Sequence, residues 1–241
     1  YKKIIEKHEL KTSDTIITAT EASRVAKNAK EFFNKIQNEL GFNIKLISSE
    51  GEAFYTGKGI SLGESETKEK IIIDLGGAST ELIKISLNPF TIVCSISLPF
   101  GSVRAQDWIE KNTLNQNIKD ILSKNDLSNY LHSRPLFVAG TMTSLACIMK
   151  SLTSFDASQI NGQVFSLKEF NACIEEVTQV SCSELLARFP YLGKRANTVA
   201  AGGQVISSLA RVIGVENLEI STLGLRHGTL FEGEINGRYI T

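Results

Sequence analysis

Neither sign of charge prevails in this sequence: 26 basic and 26 acidic residues leave a formal net charge of zero over 241 residues. Without a global field there is no electrostatic footprint for a nucleic-acid polymer or an anionic membrane, and a polyanionic ligand would need a local basic cluster. Cysteine is scarce. Cys94, Cys147, Cys173 and Cys182 form no CxxC pair and sit among apolar or helical residues, which reads as reduced thiols in a cytoplasmic protein. No apolar run is long enough to span a bilayer, and no secretory signal is visible. With 42% hydrophobic and 22% charged residues, the chain reads as globular, one large domain or two smaller ones. It opens on Tyr1 rather than Met, directly in a helix-like pattern, so the expectation is a fragment whose beginning is missing.

What is present is organised around residues 71–82, Ile-Ile-Ile-Asp-Leu-Gly-Gly-Ala-Ser-Thr-Glu-Leu. Three β-branched residues predict a buried strand ending at Asp74. Gly76 and Gly77 permit a sharp turn and close approach of backbone to a ligand. Ser79 and Thr80 add hydroxyls before a second strand begins. Backbone N–H groups gathered in such a turn suit phosphate oxygens, and Asp74 and Glu81 are hard oxygen donors of the kind Mg²⁺ takes. The alternative is an ordinary Gly-Gly hairpin.

Along the chain, 15–19 reads as a strand, 21–40 as one helix capped by Thr20 and closed by Gly41, and 44–47 as a second strand. A helix then follows, capped by Ser48 or Ser49. This is a βαβ pattern with a parallel sheet. Residues 57–69, rich in Gly, Ser and charge, read as a crossing between two domains. Strands at 70–74, 80–86 and 91–98 follow, then a helix at 102–110, polar helix and loop over 112–133, a strand at 136–139 and a helix through Met149. Residues 154–164 read as a loop or small hairpin with its turn at Asn161-Gly162. Helices are expected at 167–179, 182–189 and 195–213, a strand at 217–221 and a closing helix at 224–235. A three-strand meander followed by alternating helices and strands is the ribonuclease-H-like pattern.

Four further places carry candidate chemistry. Arg24 lies in the first turns of a helix after a strand, where anions bind and guanidinium can fork to phosphate; a solvated helix Arg is the other reading. Glu50 and Glu52 are either favourable partners of a helix dipole or, in one case, a general base. Gly140 and Thr141 follow a strand and open a helix at the sheet's carboxyl edge. Arg226 and His227, flanked by Gly224 and Gly228, could bind phosphate or simply open a helix; no second His or Cys stands at metal-ligand spacing to His227.

Six of these segments, in register, resemble the exopolyphosphatase/guanosine pentaphosphate phosphohydrolase (Ppx/GppA) family, within the actin–sugar kinase–Hsp70 superfamily. They are Ala19-Thr20 with Ala22-x-Arg24-x-Ala26-x-Asn28; Ile47-Ser48 through Glu52-Ala53; Asp74 through Leu82; Leu98-Pro99-x-Gly101-x-Val103-Arg104; Gly140-Thr141 through Leu145-Ala146; and Ser221-x-x-Gly224-Leu225-Arg226-x-Gly228. Four positions depart from the family pattern. Ser49, Ala78 and Ala139 stand where glycines are usual, and Asn197 stands where Asp is.

The resemblance implies an α/β protein of two ribonuclease-H-like (actin-like ATPase) domains with a cleft between them. Residues 1–57 would be the end of an incomplete first domain, 58–222 the second, and 223–241 a closing helix packing back on the first. A first phosphate-loop hairpin, within roughly 60 preceding residues, would be absent from this chain, which alone would be weak or inactive. The implied activity is Mg²⁺-dependent release of terminal phosphate from polyphosphate or pppGpp. Glu52 would be the general base and Arg24 would stabilise phosphoryl charge. Gly76, Gly77, Ala78, Ser79, Gly140, Thr141 and Arg226 would bind phosphate, and Asp74 and Glu81 would hold the metal. Polyphosphate or pppGpp/ppGpp are the implied partners and a homodimer is the family-based expectation. Two alternatives stand beside this reading: a nucleotide-binding sensor with little turnover, and an ATP-using actin- or sugar-kinase-like protein, for which neither an adenine pocket nor a sugar-contacting Asp is evident.

Overall fold

The computed structural model describes residues 1–63 and 69–241. A small unit pairs β1 (Ile17–Ala19) in parallel with β2 (Ile44–Leu46), with helices α1 (Lys2–Lys7), α2 (Glu21–Val25) and α3 (Ala29–Leu40) around it. Helix α4 (Ser49–Ser61) leads out of this unit. A six-stranded sheet follows, built from β3 (Glu69–Leu75), β4 (Thr80–Leu87), β5 (Phe90–Leu98), β6 (Leu136–Val138), β7 (Val164–Ser166) and β8 (Asn217–Ile220). Its helices are α5 (Ser102–Glu110), α6 (Leu114–Ser123), α7 (Ala139–Met149), α8 (Ala157–Ile160), α9 (Leu167–Gln179), α10 (Cys182–Arg188), α11 (Val199–Ile213) and α12 (Leu225–Glu232).

The strand order is β5-β4-β3-β6-β8-β7. The antiparallel meander β3–β4–β5 continues through parallel β6 and β8, and β7 closes the far edge antiparallel to β8. This is the ribonuclease-H-like order with one added edge strand.

Alternation along β3 divides the core. Ile71, Ile73 and Leu75 face the larger cluster, with the stripe Val199, Ile206, Leu209 and Ile213 of α11 among its members. Ile72 faces a smaller cluster with Ile83 and Ile85 of β4 and Ala53 and Ile60 of α4. Side chains two apart share a face, so Asp74 continues the face of Ile72, and Glu81 that of Ile83. Both carboxylates therefore come out on the α4 side.

The crossing expected at 57–69 is helical as far as Ser61, and residues 64–68 lie outside the described residues. Its glycines are packing residues: a Cβ at Gly57 would lie 2.9 Å from Ile85 Cγ2, and one at Gly59 would strike the Gly224 carbonyl. Gly228 of α12 in turn lies on the Tyr55 carbonyl, so α4 and α12 meet backbone to backbone. The helix expected over 21–40 is two helices, broken where Ala26 is extended (φ −76°, ψ 118°). The alanines of its periodic stripe supply the reason: Ala22 and Ala26 are exposed and give the helix no burial to hold it. The helix expected over 195–213 begins only at Val199; Arg195 sits in the preceding 3₁₀ segment Pro190–Asn197, in which Gly193 has φ 51°.

The last residues return to the small unit. Ile240 bridges Ile47, Tyr239 O accepts from Ser48 N at 2.8 Å, and Thr241 N donates to Leu46 O at 3.0 Å. Tyr239 stacks on Phe54 at 5.0 Å, and the Tyr55 hydroxyl accepts from Asn236 N at 2.8 Å.

Candidate active site

A cavity of about 640 Å³ opens where β3 ends, bounded by α2, α4, the 76–79 turn and the first turns of α7 and α12. Glu52, Asp74 and Glu81 all line it. Asp74 and Glu81 face each other across the β3–β4 ladder, and Ser97 stands opposite Glu81 on β5. Ser97 donates to Glu81 Oε1 at 2.8 Å, and Thr56 of α4 donates to Asp74 Oδ2 at 3.0 Å.

Glu52 and Glu81 are only 8% and 4% exposed. Burial pushes the Glu81 carboxyl up to about 8, and the neighbouring Glu52 and Asp74 push the same way. Burial raises Asp74, against the Thr56 hydrogen bond. It also raises Glu52 despite the adjacent Arg24. Buried like charges of this kind call for a cation. Among the described residues no group of three His, Cys, Asp or Glu is close enough to hold a metal by itself. Two hard carboxylates that leave room for water and phosphate oxygens match the sparse protein ligation of Mg²⁺. The donor set fits that ion.

Glu50 and Glu52 separate cleanly. Glu50 is exposed, and the helix N-terminus and Ser48 hold its carboxyl below the ordinary range. It is the dipole partner. Ser48 caps the helix, its hydroxyl accepting from Gly51 N at 3.1 Å. Glu52 turns inward to the cavity.

Arg24 stands behind Glu52 and does not border the cavity. Its Nη2 lies 2.6 Å from Glu52 Oε2 and 3.0 Å from Glu21 Oε2, and its Nη1 donates to the Ile47 carbonyl at 2.6 Å. The guanidinium is committed to protein partners. One of those partners is the cavity-lining Glu52.

The 76–79 turn is set from behind by α5. Ser102 N donates to Gly76 O at 3.0 Å, and Val103 N and Arg104 N donate to Gly77 O at 2.9 and 3.2 Å. In a trans peptide the N–H opposes the C=O, so the amides of Gly77 and Ala78 point away from α5, and both residues line the cavity. Gly101 permits the contact, since a Cβ there would lie 2.5 Å from Gly77 C. Gly76 differs from the expectation: its N–H is spent on Ser79 O at 3.0 Å, closing the turn. The Ser79 side chain, like Ser97, acts to lower the Glu81 carboxyl against burial.

On the far wall, α7 starts at Ala139 with no side-chain cap, so its first amides stay open beside the cavity. Gly140 lines the cavity; Thr141 does not, because its methyl packs against Gly202 of α11. Thr143, two residues on, lines it instead. Arg226 and His227 project from the first turn of α12, and burial together with Arg226 lowers the His227 imidazole.

Arg195 also lines the cavity and was missed by sequence reasoning. Its guanidinium covers Gly140, where a Cβ would sit 2.7 Å from Nε. The local signal was the 3₁₀ segment with a positive-φ glycine, which frees residue 195 from the helix. Among the described residues neither Arg195 nor Arg226 has an ion-pair partner. Two free cations, open helix N-termini and turn amides on one cavity make a seat for a polyanion.

Known proteins resemble this chain in sequence and in fold. A bifunctional 3-dehydroquinate synthase/phosphatase of Fusobacterium nucleatum is 26% identical over 98% of this chain, which spans 37% of that longer protein. Exopolyphosphatase 2 of Mycobacterium tuberculosis is 26% identical, with 85% of this chain and 70% of the relative covered. The crystal structure of the Aquifex aeolicus Ppx/GppA family member superposes with a TM-score of 0.75 at 25% identity, covering 96% of this chain and 77% of that one. An exopolyphosphatase from Cytophaga hutchinsonii, 20% identical and covering 97% and 79%, shares the fold with a TM-score of 0.81. The sequence model of the Ppx/GppA phosphatase family matches residues 1–236, and the chain belongs to that family.

Proposed function

We propose that this chain carries the main part of a phosphoanhydride hydrolase that releases terminal phosphate from inorganic polyphosphate or pppGpp. The observation that carries the reading is the meeting of Glu52, Asp74 and Glu81 with turn amides and two arginines, neither in an ion pair among the described residues, around one cavity. Related proteins named exopolyphosphatase add support.

In this proposal the outer phosphate sits on the amides of Gly77 and Ala78, where charge builds during transfer. Arg226 and Arg195 hold the phosphates that follow. Glu52 takes a proton from a water whose oxygen attacks the terminal phosphorus; the bridging P–O bond breaks and its electron pair leaves with the shortened chain. Asp74 and Glu81 would hold Mg²⁺, which supplies neutralisation of phosphate charge. Arg24 keeps Glu52 in place.

Phosphate release should be measured with the complete protein on polyphosphate and on pppGpp, with and without Mg²⁺. Release from either substrate that needs the cation is expected; none from both would reject the proposal. A sensor with little turnover is the second reading. The spent amide of Gly76 favours it, because the turn then offers one donor fewer. Calorimetric ppGpp binding without hydrolysis of pppGpp or polyphosphate would establish it.

A further inference from the structure

Arg24 is shared unequally between two carboxylates. Its Nε and Nη2 both donate to Glu21 Oε2, at 3.3 and 3.0 Å. One edge of the guanidinium is thus occupied by a single Glu21 oxygen, and Nη1 is held by Ile47 O. Glu52 Oε2 comes within 2.6 Å of Nη2, yet it has no aligned hydrogen bond among the described residues. The oxygen lies off the direction of the Nη2 hydrogens, one of which is directed at Glu21. Glu52 therefore feels the positive charge while a buried lone pair stays unspent.

We propose that Glu21 is a positioning residue: by occupying the Nε edge of Arg24 it keeps the guanidinium from closing squarely on the buried Glu52 Oε2, and so leaves the carboxylate able to take the proton of the attacking water on its other oxygen. The inference rests on the reading of Glu52 as the base. Glu21 itself borders the cavity. The charges facing Glu52 are Arg24 and Glu21 on α2, Asp74 on β3 and Glu81 on β4; Arg195, Arg226 and His227 share the cavity. Of these, Glu21 alone acts on Glu52 through a shared cation.

The test is Glu21→Gln in the complete protein. Without its negative charge Arg24 turns to Glu52 and makes an aligned pair, which weakens Glu52 as a proton acceptor. Carbon-13 NMR of labelled glutamate carboxyls, with the Glu52 signal assigned by its loss in Glu52→Gln, should show the Glu52 midpoint moving down by roughly one pH unit. The acid limb of the kcat/KM profile should move with it, and kcat at the plateau should fall roughly threefold to tenfold, as for a weaker base. A loss of fold or of substrate binding would lower the rate without moving the limb. An unmoved Glu52 midpoint overturns the inference even in an active enzyme. Wild-type protein that releases no phosphate would instead overturn the functional reading, and the NMR midpoint would still report whether Glu21 governs that proton.

Discussion

Asp74 and Glu81 lie directly opposite each other on β3 and β4, two buried carboxylates on one face of a hairpin. Glu52 reaches the same cavity from α4. The folded protein binds the protons of all three more tightly than the unfolded chain does, since burial raises each. Their stabilising contribution is therefore complete below the ordinary carboxylate range and is lost as pH rises through the Glu81 value of about 8. The cation-free protein should melt at progressively lower temperature between about pH 5 and pH 8. Glu81→Gln should flatten that slope, and Mg²⁺ should raise Tm at the alkaline end with little effect at the acid end. Calorimetry across this window decides; a Tm independent of pH would refute the account.

Replacing Glu52 by Gln keeps its shape and removes its capacity to take a proton. Phosphate release by the complete enzyme should drop about 10²–10⁴-fold. The melting temperature should hold, since a buried carboxyl with raised proton affinity has been made neutral. Turnover within a few-fold of wild type would remove Glu52 from the reaction.

Gly101→Ala tests how the turn is held. The new Cβ would meet Gly77 C, Gly77 O and Ala78 N at 2.5, 2.6 and 2.7 Å. These are backbone atoms, so the turn and α5 must separate, at a cost of about 1–3 kcal/mol. The substrate KM should rise as the Gly77 and Ala78 amides turn out of line. Unchanged Tm and KM would show that the α5 contact does not set the amides.

Ala139 has φ 74°, a left-handed conformation that disfavours any Cβ. The strain is about 1–2 kcal/mol, and glycine would relieve it while adding about 0.4–1 kcal/mol of unfolded-chain entropy. Ala139→Gly should therefore stabilise the protein by up to about 1 kcal/mol, read as a higher urea midpoint at constant m. A lower midpoint would refute the strain.

The β3–β4 hairpin was legible because period-two alternation needs nothing from elsewhere in the chain. Ile71 to Leu75 states which side chains share a face, and the glycines state where the strand turns. Helix α4 was legible at its start, through Ser48, and illegible at its end, because Gly57 and Gly59 look like loop residues until Ile85 and Gly224 are seen against them. The direction of the Gly76 N–H depends on which carbonyl closes the turn, a fact of three dimensions. Thr141 and Thr143 differ only in which side of α7 meets α11. Arg24 stood out in the sequence as a candidate, but its partners Glu21, Ile47 and Glu52 come from separate stretches of chain, and no local pattern specifies that they converge.

The pairing of Tyr239–Thr241 with Leu46–Ser48 joins segments almost a whole chain apart. Closing a loop of that size is entropically costly, and it cannot occur until residues 239–241 have been made. The turn of helix that carries Glu52 begins at this seam. During synthesis Glu52 thus gains this part of its seat only after the sheet strands that precede residues 239–241 have been made.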